Sequence, residues 1–168
     1  GLPDLDFAAA RQAGAQTLVI GVAPFGGTIA PHWIEPIVAA LTAGLNVASG
    51  MHIRLRSIPA IAAAADAARV GLFDIRVPAA TYPIASGRKR AGRRMLMVGT
   101  DCAVGKKYTA LTIARDMAAR GMKASFRATG QTGILIAGEG VPIDAVVADF
   151  VAGAAETLSP DNHADHWD

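Results

Sequence analysis

The feature that most constrains the fold is a glycine-bounded loop between an apolar run and a helix-like run. This loop, Gly99–Lys107, follows Met95–Val98 and leads directly into Tyr108–Arg115. A buried strand, a glycine loop with a lysine, and a helix together form a phosphate cradle, because loop amides and the helix N-terminus attract an anion. The sequence therefore predicts a P-loop-like α/β unit.

Several residues of this loop are predicted to bind a phosphate-bearing cofactor: Gly99, Thr100, Val104, Gly105, Lys106 and Lys107. A strict P-loop has Gly where Thr100 stands and Ser or Thr where Lys107 stands, and that hydroxyl holds Mg²⁺. Thr109 cannot replace it, because two positions further along a helix it points away from the phosphate. The loop therefore predicts a phosphate site that differs from an ordinary ATPase, with a simple strand-to-helix turn as the alternative.

Strand-like and helix-like segments alternate in the first half of the chain. Apolar runs predict strands, and segments with cap and stop residues predict helices. The predicted strands are 17–22, 45–48 and 72–77, and the predicted helices are 5–13, 31–43 and an alanine-rich stretch ending at Val70 that Ser57 caps. This succession predicts an α/β unit with a parallel sheet over residues 1–78.

The second half is predicted to be another α/β unit, residues 95–168, after a basic linker at 79–94. Its predicted strands are Met95–Val98 and Lys123–Arg127, on either side of the helix that follows the loop. Asp144 is predicted to open a final helix through Glu156, with Asp149 and Glu156 on one face. No strand is predicted after that helix, which leaves this unit with two strands.

Charge pattern and apolar-run length argue against a nucleic-acid-binding or membrane-spanning protein. The net charge is +2, and most of the basic excess lies in Arg88–Arg94. A solvated linker is favoured over nucleic-acid binding there, because no aromatic residues interleave with the basic ones. The single cysteine, Cys102, is typical of a reducing compartment, and the apolar runs are too short to cross a membrane, so a cytoplasmic protein is predicted. Self-association into a homo-oligomer stays open.

A second polar cluster follows the predicted strand Lys123–Arg127. It comprises Arg127, Thr129, Gln131 and Thr132, around two glycines. Ligands collect at the carboxyl edge of open parallel sheets, and a guanidinium can bind a carboxylate through two hydrogen bonds. The cluster is therefore a candidate substrate site, with a polar connection between elements as the equal alternative. The four histidines show no metal-ligand spacing, and no metal site is predicted.

These motifs, with Arg127–Ile134 and Asp144–Phe150, resemble a bacterial P-loop family of formerly unknown function that includes D-glutamate N-acetyltransferases. The resemblance extends from Leu2 to the terminus and implies a Rossmann-like domain followed by a P-loop domain. Typical members begin before Gly1 and continue beyond Asp168, so the chain is expected to be part of a longer protein. The loop is also similar to that of dethiobiotin synthetase, which ends it in a hydroxyl residue.

The resemblance implies an acetyl-CoA-dependent N-acetyltransferase acting on an acidic amino acid such as D-glutamate. Acetyl-CoA carries phosphates but transfers none, so a cradle that lacks the Mg²⁺ hydroxyl suits it better than a kinase or ligase. Acetyl transfer needs a base and a donor to the developing oxyanion. By position, Asp101 is assigned as the base, Thr100 or Thr129 as the donor, and Arg127, Gln131 and Thr132 as substrate-binding residues.

Two alternatives remain at this point. One is an ATP- and Mg²⁺-dependent carboxylate-activating enzyme similar to dethiobiotin synthetase. The other is a non-catalytic regulator that binds a nucleotide or CoA, with Arg88–Arg94 as a partner surface.

Overall fold

The computed structural model of the chain describes residues 3–22, 24–78 and 81–168. The chain divides into two compact units, Gly1–Val77 and Pro78–Asp168. The first two residues of the predicted linker, Ala79 and Ala80, lie outside the described residues.

The first unit is a parallel three-stranded sheet with helical crossovers. Its elements are α1 (Phe7–Gln12), β1 (Thr17–Ile20), α2 (Pro31–Thr42), β2 (Asn46–Ser49), α3 (Pro59–Ala68) and β3 (Leu72–Asp74). The strand order is β1-β2-β3, and Val19, Ala48 and Phe73 lie side by side in the register. The prediction of an α/β unit with a parallel sheet is therefore confirmed.

The core of this unit lies between the sheet and the helices α2 and α3. Ile37 and Leu41 in α2, and Ile61 and Ala65 in α3, are spaced by one helical turn, so each pair presents one apolar face. All four are buried and pack with Val47 of β2. Helical periodicity in the sequence thus fixes which side of each helix faces the sheet.

Two local predictions for this unit are wrong. Ser57 does not cap α3, since its hydroxyl donates to the Arg54 carbonyl (2.7 Å) and Ile58 occupies the cap position. Strand β3 ends at Asp74 rather than residue 77, because the Asp74 carboxylate accepts the Leu55 amide (2.9 Å) and its carbonyl accepts the Val77 amide (3.1 Å). The chain turns at this point instead of extending the strand.

Among its described residues, the second unit contains three α-helices: α4 (Lys106–Ala119), α5 (Gln131–Ala137) and α6 (Val151–Leu158). The prediction for α6 is wrong at its start. Asp144 and Asp149 each lie in a short 3₁₀ turn, Ile143–Ala145 and Ala148–Phe150. Asp144 therefore does not open α6, and Asp149 and Glu156 do not share a helix face.

Three extended segments of this unit meet through Trp167. Isolated parallel bridges join Trp167 to Arg93 on one side and to Ala124 on the other. The Arg93 amide donates to the His166 carbonyl (2.7 Å), and the Ser125 amide donates to the Trp167 carbonyl (2.8 Å). No regular strand follows α6 among the described residues, but residues 166–168 pair between the segments around Arg93 and Ala124. The predicted strand Lys123–Arg127 is wrong, because only Ala124 forms a bridge.

The predicted strand Met95–Val98 is only partly paired. The Met95 amide donates to the Asp168 carbonyl (3.0 Å), whereas Leu96 and Val98 are both 78% exposed. This segment is extended but is not a regular strand.

The residues before Met95 fold against α6 rather than forming a solvated linker. We call residues 83–94 the clasp segment. Its Arg90 donates to the carbonyls of Glu156 (3.1 Å) and Ser159, and its Arg94 donates to the carbonyls of Ser159 (3.1 Å) and Pro160 (2.7 Å). Cations at a helix C-terminus satisfy the last carbonyls and complement the helix dipole.

The negatively charged residue that contacts the clasp segment is Glu156 of α6. Its carboxylate accepts the backbone amides of Ser86 (2.8 Å) and Gly87 (3.0 Å). These hydrogen bonds, with that of Ser86 the stronger, hold the pKa of Glu156 below its usual value. A Cβ on Gly153 of α6 would lie 1.7 Å from the Pro83 carbonyl oxygen, so this position requires glycine.

Candidate functional site

The glycine loop adopts the tight geometry that its sequence predicts. Ala103 (φ +57°) and Gly105 (φ +94°) have left-handed backbone conformations, and α4 begins directly after Gly105. A Cβ on Gly99 would lie 2.7 Å from Val104 Cγ2, so the start of the loop contacts its end closely. Left-handed residues in such turns let consecutive amides form an anion-binding concavity.

Lys106 reaches back across the loop. Its Nζ donates to the Asp101 carbonyl (2.5 Å), so the ammonium group lies over the loop that precedes it. Asp101 Oδ1 in turn accepts the Cys102 amide (2.6 Å). The carboxylate of Asp101, which is assigned as the base, is therefore hydrogen-bonded to the loop backbone. The ammonium group of Lys106 is held by the Asp101 carbonyl, which a bound anion can replace.

Lys107 and Thr109, the two positions that bear on the Mg²⁺ question, each make a local contact in α4. Lys107 Nζ lies 4.2 Å from the centroid of the Tyr108 ring, a cation–π contact. The Thr109 hydroxyl donates to the Gly105 carbonyl (3.1 Å), one turn earlier in α4. The Thr109 hydroxyl is thus bound to the helix backbone and does not replace the missing Ser or Thr hydroxyl at position 107.

The second polar cluster begins α5. Gln131 and Thr132 are its first residues, and buried Gly133 contacts the segment before it, where a Cβ would lie 3.2 Å from Ala128 Cβ. The Thr129 carbonyl accepts the Ile143 amide (3.1 Å). Close packing of α5 on this segment fixes Thr129 and the first turn of α5 together.

One cavity of about 780 Å³ in the second unit brings most predicted site residues together. Its lining includes Lys106, Lys107, Arg127, Thr129, Gln131 and Thr132. Five predicted residues are not part of that lining: Gly99, Thr100, Asp101, Val104 and Gly105. The structure thus joins the end of the phosphate loop with the predicted substrate cluster, but does not bring Asp101 to Thr129.

Arg127 is already paired in the cavity wall. Its Nε donates to Asp168 Oδ1 (2.8 Å), and its Nη1 lies 3.5 Å from Glu139 Oε1. The Asp168 side chain is 1% exposed, whereas that of Glu139 is 79% exposed. The guanidinium is therefore anchored by a buried carboxylate on one edge and meets a solvated, replaceable carboxylate on the other.

Sequence reasoning missed the polar network around Asp168. Ser125 Oγ lies 2.9 Å from His166 Nε2, which is 3.6 Å from Asp168 Oδ1. Asp168 Oδ2 is buried and has no hydrogen-bond partner among the described residues. Only the pairing of residues 166–168 between two other segments brings these groups together, and three residues carry no recognisable strand pattern.

The described residues contain no group of three or more His, Cys, Asp or Glu side chains arranged to hold a metal ion. In residues 3–22, 24–78 and 81–168, no helix combines the length and apolar character that crossing a bilayer requires.

Comparison with known protein families gives a match over each part of the chain. Residues 1–78 match the family described as "Domain of unknown function (DUF1611_N) Rossmann-like domain". Residues 83–168 match the family described as "Domain of unknown function (DUF1611_C) P-loop domain". The predicted order, a Rossmann-like unit followed by a P-loop unit, is therefore confirmed.

Similar proteins include two curated relatives named D-glutamate N-acetyltransferase. One, from Tritonibacter scottomollicae, is 57% identical over all of this chain and 50% of its own length. The other, from a Pseudoalteromonas species, is 44% identical over all of this chain and 51% of its own length. The chain thus spans about half the length of the curated relatives it matches.

A solved structure has the same fold. It is the crystal structure of a DUF1611 family protein from Anabaena variabilis, 40% identical, with a TM-score of 0.83 over 91% of this chain and 45% of its own.

Proposed function

Since the chain belongs to the DUF1611 family of Rossmann-like and P-loop domains, we propose that it functions in an acetyl-CoA-dependent N-acetyltransferase acting on an acidic amino acid such as D-glutamate. The observation that carries this proposal is the single cavity lined by both loop lysines and by the polar cluster Arg127–Thr132. The name of the two curated relatives, D-glutamate N-acetyltransferase, supports it.

The phosphate loop would hold CoA through its phosphates. Lys106 and Lys107 supply two positive charges at the cavity wall, and the Asp101 carbonyl that now holds Lys106 is a neutral partner that a phosphate oxygen replaces. A nucleotide whose phosphates stay intact needs no Mg²⁺ to neutralise charge on a transferred group. The absence of a hydroxyl at Lys107 therefore fits CoA better than ATP.

The polar cluster would hold the amino acid. Arg127 is the proposed partner of a substrate carboxylate, with its Nε fixed by Asp168 and its Nη1 beside the exposed Glu139. Gln131 and Thr132 offer further hydrogen bonds from the first turn of α5. An acidic amino acid presents two carboxylates, and a cavity lined by four cationic side chains suits that charge.

Acetyl transfer to an amine requires a hydrogen-bond donor to the developing oxyanion and a base that takes the amine proton. Bound acetyl-CoA supplies a thioester carbonyl that the substrate amine attacks, forming the N–C bond, breaking the C–S bond and releasing the CoA thiol. Thr129, in the cavity wall, is the proposed hydrogen-bond donor to the developing oxyanion. Asp101 is the proposed base for the amine proton. Since it is not part of the cavity lining, its carboxylate must leave the Cys102 amide and move toward the cavity to act as one.

Thermal unfolding of the intact protein with different ligands tests the ligand class. We expect CoA and acetyl-CoA to raise the melting temperature, because a ligand that binds only the folded state stabilises it. Stabilisation by ATP–Mg²⁺ and not by CoA would contradict the proposal and favour the carboxylate-activating alternative. Stabilisation by CoA without thiol release in the presence of D-glutamate would favour a non-catalytic CoA-binding protein.

A further inference from the structure

The cavity has an apolar body that phosphates and an amino acid leave unused. Most of its lining side chains are apolar, and those from the helices include Ala110, Ile113, Ala114, Met117, Val151 and Ala155. Burying charge against such a surface is costly, whereas burying an uncharged chain there is favourable. A ligand that fills this cavity therefore needs a long section without charge.

One face of α4 connects this apolar body to the phosphate loop. Lys106, Ala110, Ala114 and Met117 follow one another at spacings of three or four residues, so they share one side of the helix. All four line the cavity. Phosphate-binding charge and apolar surface are thus continuous along a single helix face, and the two alanines leave space beside it.

CoA has the matching distribution of charge. Its phosphates lie at the nucleotide end, and its pantetheine arm is an uncharged chain with two amides and a terminal sulfur. Ligand pockets of about 300–1,000 Å³ are typically lined by apolar side chains with a few polar groups that set orientation. The cavity volume of about 780 Å³ and its lining follow that pattern.

We propose that the cavity between α4 and α6 binds the pantetheine arm of acetyl-CoA, with the Ala110–Ala114 face of α4 packed along the arm. This inference rests on the proposed function. It assigns a role to residues outside the phosphate loop and the polar cluster, and it keeps the thioester in the cavity that Thr129 and Arg127 also line.

The test compares CoA with adenosine 3′-phosphate 5′-diphosphate, which is CoA without the arm. Isothermal titration of the intact protein measures the affinity for each. Ala114→Trp fills the space beside α4, so we expect it to weaken CoA binding about tenfold or more, or about 1.4 kcal/mol. Affinity for the armless nucleotide should stay within about twofold, because its contacts are confined to the loop.

Ala118→Trp is the matched control. Ala118 is exposed on the same helix and is not part of the cavity lining, so the same substitution there should change neither affinity. Ala110→Leu provides a smaller obstruction and should weaken CoA binding in the same direction as Ala114→Trp. Binding of the armless nucleotide also shows that each variant is folded.

The results of these titrations distinguish failure of the arm site from failure of the proposed function. If wild-type protein binds neither compound, both fail. If wild-type protein binds CoA and releases its thiol with D-glutamate, but Ala114→Trp binds CoA with unchanged affinity, only the arm site is overturned. Equal weakening of both compounds by Ala114→Trp would also overturn it, because the substitution would then act through the phosphate loop.

Discussion

At the scale of single residues, Gly105 has a left-handed backbone conformation at the point where the phosphate loop ends and α4 begins with Lys106. Its φ of +94° is strained for any side chain, although nothing lies within 4 Å of a Cβ there. We expect Gly105→Ala to lower the free energy of unfolding by about 1–2 kcal/mol and to weaken CoA binding. Gly105→Asn should cost less, because Asn tolerates left-handed backbone better. Urea unfolding measures both, and equal stability of all three proteins would contradict this account of the loop.

The anchoring of Arg127 is a second prediction at this scale. Asp168→Asn removes the buried charge that holds Arg127 Nε, and we expect it to cost about 2 kcal/mol, less than a fully buried pair because Arg127 is 25% exposed. Glu139→Gln breaks only the exposed contact and should cost less than about 0.5 kcal/mol. Urea unfolding compares them, and a larger cost for Glu139→Gln would show that the anchor is assigned to the wrong carboxylate.

At the scale of elements, the clasp of Glu156 on Ser86 and Gly87 predicts a dependence of stability on pH. The pKa of Glu156 is lowered in the folded state, so its stabilising effect is present above its unfolded pKa and is lost as pH falls through its folded pKa. We therefore expect Glu156→Gln to be less stable than wild type at pH 7, and the difference to shrink on acidification. Thermal unfolding between pH 7 and pH 3 measures this.

The control for the clasp is Asp4→Asn, which removes one negative charge from an exposed side chain of the first unit. Its difference from wild type should stay near zero over the same range. A Glu156→Gln difference that grows on acidification would contradict the role given to Ser86 and Gly87.

The elements also show which parts of the fold the sequence could predict. Helices α2 and α3 follow apolar periodicity, and β1 lies in the mostly apolar run 17–22, so local patterns suffice for these elements. The end of β3 depends on Asp74 accepting an amide from Leu55, and the clasp depends on contacts between residues about 70 positions apart. Such long-range hydrogen bonds leave no periodic signal, which is why the clasp segment was predicted to be a linker.

At the scale of the whole molecule, the second unit carries the candidate site. The turn and helix of the phosphate loop were predictable, because the loop follows the apolar run Met95–Val98 and contains glycines. The polar cluster was predicted from its polar residues and glycines after Lys123–Arg127, although that segment is not a strand in the structure. The sequence did not predict that both motifs line one cavity, since this depends on how α4, α5 and α6 pack. The network of Ser125, His166 and Asp168 was not predictable either, because it forms only when residues 166–168 insert between two other segments.

The central claim is that this scaffold binds acetyl-CoA through Lys106 and transfers the acetyl group to an acidic amino acid. Thiol release from acetyl-CoA by the intact protein, measured with and without D-glutamate and followed by mass analysis of the amino acid, tests it most directly. We expect release that requires D-glutamate and yields its N-acetyl derivative. Lys106→Ala should lower kcat/KM about 10- to 100-fold, as expected for a lost contact to a charged group.

Lys123→Ala, which removes an exposed lysine paired with Asp165 (3.0 Å), should leave that rate unchanged. Thiol release that is independent of the amino acid, or that is unaffected by Lys106→Ala, would contradict the account.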